Sequence, residues 1–265
     1  MNILFIGDIV GESGREAVCG LCRMLCERHG ISYVIANGEN IAGGNGLTLQ
    51  TARELLAGGV DVVTSGDHVW EQKDFVADIV REPRVLRPAN YPTGTPGEGW
   101  IVWKREGLPP IAVLNLQGRV FMSALENPFT VADAVVQRLR KQTPIIIVDI
   151  HAEATSEKVA MGWYLDGRVS AVIGTHTHVA TADTHVLPRG TAFVSDVGMV
   201  GPLNSIIGME VEPIVERFLT QLPTRFSPVE KGPAIFNSVL IDIDETTGRA
   251  RSIERVDREM TKHGQ

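Results

Sequence analysis

Cysteine is scarce in this chain: there are three in 265 residues, Cys19, Cys22 and Cys26. An odd, clustered set builds no disulfide framework. Their helical spacing among Val18, Leu21 and Leu25 predicts three thiols on one face of a first helix. An iron–sulfur reading of this run is the alternative, but buried, reduced thiols are the expectation, because free cysteine behaves as a small hydrophobe. Long apolar runs are missing too. No stretch approaches the roughly 20 apolar residues that span a bilayer, and the apolar opening ends at Asp8 with no basic residues before it. No membrane segment or secretory signal is expected, and the cytoplasm is the expected location. Positive charge is in deficit, with 25 Lys and Arg against 32 Asp and Glu, a net charge of -7. Phosphate backbones recruit dense basic patches, so extended nucleic-acid binding is disfavoured. A small anion can still be bound if bound cations supply positive charge locally.

What is present is apolar content of 43%, enough for a large core, and the whole span 1–265 is expected to be one domain. The first third alternates strand and helix: strands at Asn2–Gly7, Ser32–Ala36 and Val60–Ser65, helices at Arg15–Arg28 and Thr48–Ala57. This rhythm predicts an α/β fold. A Pro- and Gly-rich stretch from Arg87 to Gly99 reads as an ordered surface loop. Paired strands at Trp100–Lys104 and Ile111–Leu116 follow, then a helix at Val131–Lys141 and apolar strands at Ile145–Ile150 and Val169–Ile173. The tail predicts strands at Thr191–Ser195 and Ile235–Ile243, a helix at Val211–Leu219, a hairpin turn at Asp244–Gly248 with Arg249–Val256 pairing back, and a frayed end from Met260 to Gln265.

Four short motifs carry metal-binding residue types: Gly7-Asp8, Gly38-Glu39-Asn40, Gly66-Asp67-His68 and Gly174-Thr-His176-Thr-His178. Each follows an apolar run of strand length, and His151 ends another. In open α/β sheets functional groups gather beyond the carboxyl ends of the strands, so these five positions are expected at one crevice. Alternate residues of an extended segment share a side, which would aim His176 and His178 together and Thr177 away. Carboxylates and imidazoles without thiolates suit a catalytic centre of Fe, Mn or Zn, and a paired-metal site is commonly bridged by one carboxylate, here Glu39. Four of the seven histidines fall in these motifs, whereas His29, His185 and His263 lie outside them. The Gly7, Gly11, Gly14 spacing is not G-x-G-x-x-G, and an acid sits where a pyrophosphate would approach, so a dinucleotide site is set aside.

The order of these motifs resembles the calcineurin-like metallophosphoesterases. More narrowly, Phe-Ile-Gly-Asp-Ile-Val-Gly, Ala-Asn-Gly-Glu-Asn, His-Ala-Glu-Ala-Thr-Ser-Glu-Lys and the segment ending Gly-Thr-His-Thr-His are similar to the bacterial YmdB-like phosphodiesterases. The resemblance implies a four-layered α/β sandwich of mixed sheets flanked by helices. It implies two divalent or mixed-valence metal ions, iron or otherwise manganese, and hydrolysis of small phosphodiesters such as 2',3'-cAMP by a metal-bridging hydroxide. One metal would take Asp8, Glu39, Asn40 and His178; the other would take Glu39, Asp67, His151 and His176. His68 would be the proton donor to the leaving oxygen.

The chain departs from the broader pattern at Val10, where the superfamily carries a histidine; the narrower family lacks it too, with Asn40 in its stead. It departs from both patterns at Asp67, where an asparagine is usual. An anionic Asp67 is expected to favour a harder or more oxidised metal and to raise the pKa that governs nucleophile formation. Glu153, Ser156 and Asp196 follow strands and are candidate pocket residues, Trp70 a candidate base-stacking face, and Arg87 and Arg119 candidate phosphate contacts. A phosphomonoesterase on the same site, and a metal-binding regulatory module with negligible turnover, are the alternative functions. Exposed strand edges and the Pro-rich loop leave room for a homo-oligomer.

Overall fold

The computed structural model describes residues 1–261; His263 and the remainder of the predicted frayed end lie outside the described residues. In chain order the elements are β1 (Asn2–Ile6), β2 (Asp8–Ile9), α1 (Gly11–His29), β3 (Ile31–Asn37), α2 (Leu49–Ala57), β4 (Val62–Thr64), α3 (Phe75–Asp78), β5 (Trp100–Trp103), β6 (Ile111–Gln117), α4 (Pro128–Leu139) and β7 (Ile146–His151). There follow α5 (Thr155–Leu165), β8 (Ala171–Thr175), β9 (His185–Val186), β10 (Ala192–Val194), β11 (Met199–Pro202), α6 (Val211–Thr220), β12 (Ala234–Phe236), β13 (Ser238–Ile243), β14 (Ala250–Arg255) and β15 (Arg258–Met260).

Two large mixed sheets dominate, ordered β14-β13-β1-β3-β4 and β5-β6-β7-β8-β10-β9, with a smaller one, β15-β12-β11-β2. β1, β3 and β4 run parallel, as do β6, β7, β8 and β10. Successive side chains of a strand point to opposite faces, and β1 shows the result. Ile3 and Phe5 meet Val113, Ile147 and Ile173 between the two large sheets. Leu4 and Ile6 pack outward against Val18 and Leu25 of α1 and Leu55 of α2. On the far side Leu114, Val148 and Val172 face Val136 of α4 and Met161 of α5. The layers are therefore helix, sheet, sheet, helix, and strands buried on both faces read as unbroken apolar runs.

Several boundaries differ from the sequence reading. The stretch read as one strand at Ile235–Ile243 is two, because at Asn237, whose carbonyl accepts from Gly7 N–H, the chain leaves the small sheet and enters the first large one. α1 begins at Gly11, ahead of the predicted Arg15, with φ +61 at that glycine supplying the turn into the helix. Of the three thiols only Cys22 is buried; Cys19 is exposed and Cys26 half-buried, since the face they share runs over the edge of the core. Met260 is not frayed but pairs with Ala234. α5 was not anticipated. The Asp244–Gly248 turn forms as expected: Gly248 N–H donates to Asp244 O at 2.8 Å, and Asp244 Oδ1 accepts from Thr246 and Thr247. Thr48 caps α2 with a reciprocal hydrogen bond to Thr51.

Phe5→Ala removes a ring from the layer shared by both sheets and should cost about 3–5 kcal/mol in urea unfolding. Phe121, 90% exposed, is the control, its alanine variant expected within about 0.5 kcal/mol of the parent. A loss below about 1 kcal/mol for Phe5→Ala would show that the sheets do not share one core.

Candidate metal centre

The site forms where the carboxyl ends of both large sheets meet. Asp8 lies in β2, just past β1; Glu39 and Asn40 follow β3; Asp67 and His68 follow β4; His151 ends β7; His176 and His178 follow β8. Atoms of Glu39, Asp67, His151 and His176 lie within 4.8 Å of one another, and so do atoms of Asp8, Glu39 and His178. Glu39 belongs to both groups. Asn40 lies against the second, its Nδ2 donating to Glu39 Oε1 at 2.9 Å and standing 3.3 Å from His178 Nε2. All seven sequence-predicted ligands and His68 are thus brought together. Glycine is required before Asp67, since a Cβ on Gly66 would overlap the His151 ring and the Glu39 carboxylate.

Each of the three imidazoles has its outward nitrogen held by an acceptor. His151 Nδ1 lies 2.9 Å from Thr175 Oγ1, which donates to Asp149 Oδ1 at 2.7 Å. With the hydroxyl proton committed to Asp149, the Thr175 oxygen accepts from His151 Nδ1–H. His176 Nε2 faces Glu153 Oε2 at 3.1 Å, and His178 Nδ1–H donates to Ile207 O at 2.9 Å. This network assigns the tautomers, and it turns His151 Nε2, His176 Nδ1 and His178 Nε2 inward. His151 Nε2 then stands 3.0 Å from His176 Nδ1 and 3.1 Å from both Glu39 Oε2 and Asp67 Oδ1. Two imidazole nitrogens and two carboxylate oxygens converging on one point are the chemistry of a cation site. Asp8 adds to it: Oδ2 accepts from His176 N–H, while the buried Oδ1 has no hydrogen-bond partner, His151 Nδ1 standing 3.7 Å away.

The electrostatics agree. Burial raises the Asp8 carboxyl well above its ordinary value, more than the facing His151 lowers it. Burial also acts against ionised Glu39, yet His151 overrides it and holds that carboxyl at about 2. For His151 burial favours the neutral ring, and Glu39 and Asp67 overcome it, lifting its pKa well above the usual histidine range. The field that holds a proton there equally favours a cation in its place. Oxygen and imidazole donors without thiolate fit Fe, Mn or Zn.

The histidine turn is not the extended segment anticipated. β8 stops at Thr175, and His176 (φ 100) and His178 (φ 63) are left-handed, a conformation that non-glycine residues adopt at a cost. Thr177 points away, as expected, but through a turn. A cavity of about 320 Å³ opens beside the cluster, lined by Glu39, Asn40, His68, Glu153, His176 and His178, with Ile207 and Met209 forming an apolar side. His68 Nδ1 is anchored to Asn40 Oδ1 at 2.9 Å, while Nε2 makes no hydrogen bond and stands 3.8 Å from Asp67 Oδ2.

Of the other candidates, only Glu153 lines this cavity. Asp196 is buried behind Thr177, and Ser156 lies in the first turn of α5. Trp70 packs edge-on against Tyr91. Arg87 is spent on the carbonyls of Pro88, Thr95 and Pro96, and the Arg119 backbone is held by Glu157. Asp149, Thr175 and Ile207 were missed. Asp149 had a signal: an acid two residues before His151 in an apolar strand shares its face. No helix of the described residues is long and apolar enough to cross a membrane.

Comparison with known proteins bears on this geometry. The chain is 49% identical over 259 residues to the 2',3'-cyclic-nucleotide 2'-phosphodiesterase of Bacillus subtilis (strain 168), covering 97% of this chain and 96% of that one. A crystal structure of a hypothetical protein from Thermus thermophilus superposes with a TM-score of 0.91 at 42% identity, covering 98% of this chain and all of that one. A phosphatase structure from Mycoplasma pneumoniae gives a TM-score of 0.91 at 31% identity, covering 99% and 95%. The pattern of the YmdB-like proteins matches residues 4–256. With its fold and motif order agreeing with that match, the chain belongs to the YmdB-like protein family.

Proposed function

We propose that this chain is a dinuclear-metal phosphodiesterase acting on small phosphodiesters, with 2',3'-cyclic nucleotides as the substrate class. The observation that carries the reading is the pair of ligand clusters that share Glu39 and open on one cavity with His68 on its wall. The activity named for the Bacillus subtilis relative supplies the substrate class. Asp8, Glu39, Asn40 and His178 would hold one ion, and Glu39, Asp67, His151 and His176 the other. Iron is the first choice and manganese the second. The same reading makes the protein a cytoplasmic enzyme.

When bound, the two ions supply positive charge for the phosphoryl oxygens and a nucleophile at neutral pH. The chain's own residues position and protonate. Asn40 fixes the His68 ring through Nδ1, so that Nε2 can present a proton to the departing oxygen. Ile207 and Met209 offer an apolar wall to the sugar and base while the phosphate faces the ligands. Two divalent ions with Asp8, Glu39 and Asp67 leave a formal charge of roughly +1. That sum matches a singly charged diester better than a doubly charged monoester, and Glu153 on the cavity wall adds to the discrimination.

Three outcomes test the reading. Glu39→Gln should lower metal content from about two ions per chain and reduce hydrolysis of 2',3'-cAMP by at least about a hundredfold. Metal-replete parent protein that hydrolyses no ester would instead favour a regulatory role. His68→Ala should lose about 10²- to 10⁴-fold on 2',3'-cAMP but far less on bis-p-nitrophenyl phosphate, whose leaving group needs no proton. Equal losses on both esters would remove His68 from that role. Asp67→Asn withdraws one negative charge from the site, so the acidic limb of the pH–rate profile should move to lower pH. An unmoved limb would dismiss Asp67 as its determinant.

A further inference from the structure

Behind the cavity, among groups that neither line it nor offer atoms to the two clusters, lies a buried ion pair. Asp196 and Lys158 are each 1% exposed, with Lys158 Nζ 2.9 Å from Asp196 Oδ2. Burying two charges is expensive even when they are paired. Asp196 Oδ2 also accepts from Thr177 N–H at 3.0 Å and from Thr177 Oγ1 at 2.7 Å, while Oδ1 accepts from Gly198 N–H at 2.8 Å. The backbone of Asp196 closes the far end of the turn, accepting from Thr181 N–H at 3.0 Å and donating to Thr181 Oγ1 at 2.9 Å. Lys158 donates in addition to Thr175 O, the residue whose hydroxyl orients His151.

Thr177 is the residue between His176 and His178, both left-handed. Strained conformations persist only where the surroundings over-determine them, and the side chain that seizes the centre of this turn is Asp196. We propose that Asp196, with Lys158 as its counter-ion, is a positioning residue that holds His176 and His178 in their inward-facing geometry. Neutralising the carboxylate weakens its grip on Thr177. The turn then relaxes toward ordinary backbone angles and the two imidazoles lose their common aim. Lys158 supplies the opposite charge beside this buried carboxylate and ties it to the end of β8 through Thr175 O. The inference rests on the metal-centre reading of the proposed function.

The test compares the parent with Thr177→Val, Thr177→Ser, and the double variant Asp196→Asn with Lys158→Met, which leaves no buried unpaired charge. Mn²⁺ affinity is measured by calorimetry, melting is followed in chelator, and kcat and KM are determined separately on bis-p-nitrophenyl phosphate. Expected is a double variant that melts cooperatively in chelator, yet binds Mn²⁺ about 10- to 100-fold more weakly, as loss of groups supporting metal ligands generally does. Its kcat should fall about tenfold or more with little change in KM. Thr177→Val should follow it and Thr177→Ser, which keeps the hydroxyl, should restore parental values; that pair decides the matter if the double variant does not fold. A folded double variant, or Thr177→Val, with parental Mn²⁺ affinity and kcat overturns the clamp and leaves the metal centre standing. A parent that binds no Mn²⁺ overturns both.

Discussion

Four carboxylates, Asp8, Glu39, Asp149 and Asp196, are almost completely buried at the junction of the two large sheets, and the rest of the site follows from how each is compensated. An uncompensated buried carboxylate costs several kcal/mol. Asp196 has Lys158 and three donors on its carboxylate. Asp149 has Thr64, Thr175 and Asn37, although burial still lifts its carboxyl to about 6 against the pull of His151. Glu39 leans on His151. Of the four, Asp8 alone keeps a buried oxygen with no hydrogen-bond partner. The compensation runs short at the point where both ligand clusters meet, and that deficit of positive charge is what a cation would fill.

The deficit can exist because it is built on rigid elements from two sheets. Glu39 and Asp67 follow strand ends of the first sheet, Asp8 lies just past β1 where β2 joins the small sheet, and His151, His176 and His178 come from the second, so no sheet alone makes a site. The layer between them, Phe5 and Ile35 against Val113, Ile147 and Ile173, fixes their spacing. Interiors close-packed in this way transmit displacement instead of absorbing it. The apolar core and the polar site are for that reason one structural problem.

Much of this was legible in the sequence. Apolar runs ending in Asp, Glu or His place ligands at strand ends whatever the flanking topology, and the eight motif residues converge as that rule requires. What escaped was set by contacts distant in sequence. Nothing local to Ile235–Ile243 says that the chain changes sheets at Asn237; the partner there is Gly7. Nothing in Gly-Thr-His-Thr-His announces left-handed backbone, because Asp196, far along the chain, imposes it. α5 escaped because its buried Glu157 and Lys158 break the apolar periodicity that marks a helix. Both charges have partners elsewhere: Glu157 takes the backbone N–H groups of Arg119 and Val120, and Lys158 takes Asp196.

Those two residues show how the supporting layer is organised. α5 leaves the site two residues after Glu153, which holds His176 from the solvent side, and its next turn returns Lys158 to hold the same histidine turn from the interior. One short segment from His151 to Lys158 therefore contributes a proposed ligand, the acceptor that orients a second, and the counter-charge behind the turn carrying that second and a third. A helix interior would ordinarily place an apolar residue at position 158. The buried lysine is the exception: the carboxylate that grips Thr177 is itself buried, and Lys158 is the opposite charge placed 2.9 Å from it. Ligand geometry, backbone strain and a buried ion pair are in this way successive consequences of aiming three imidazoles at one volume.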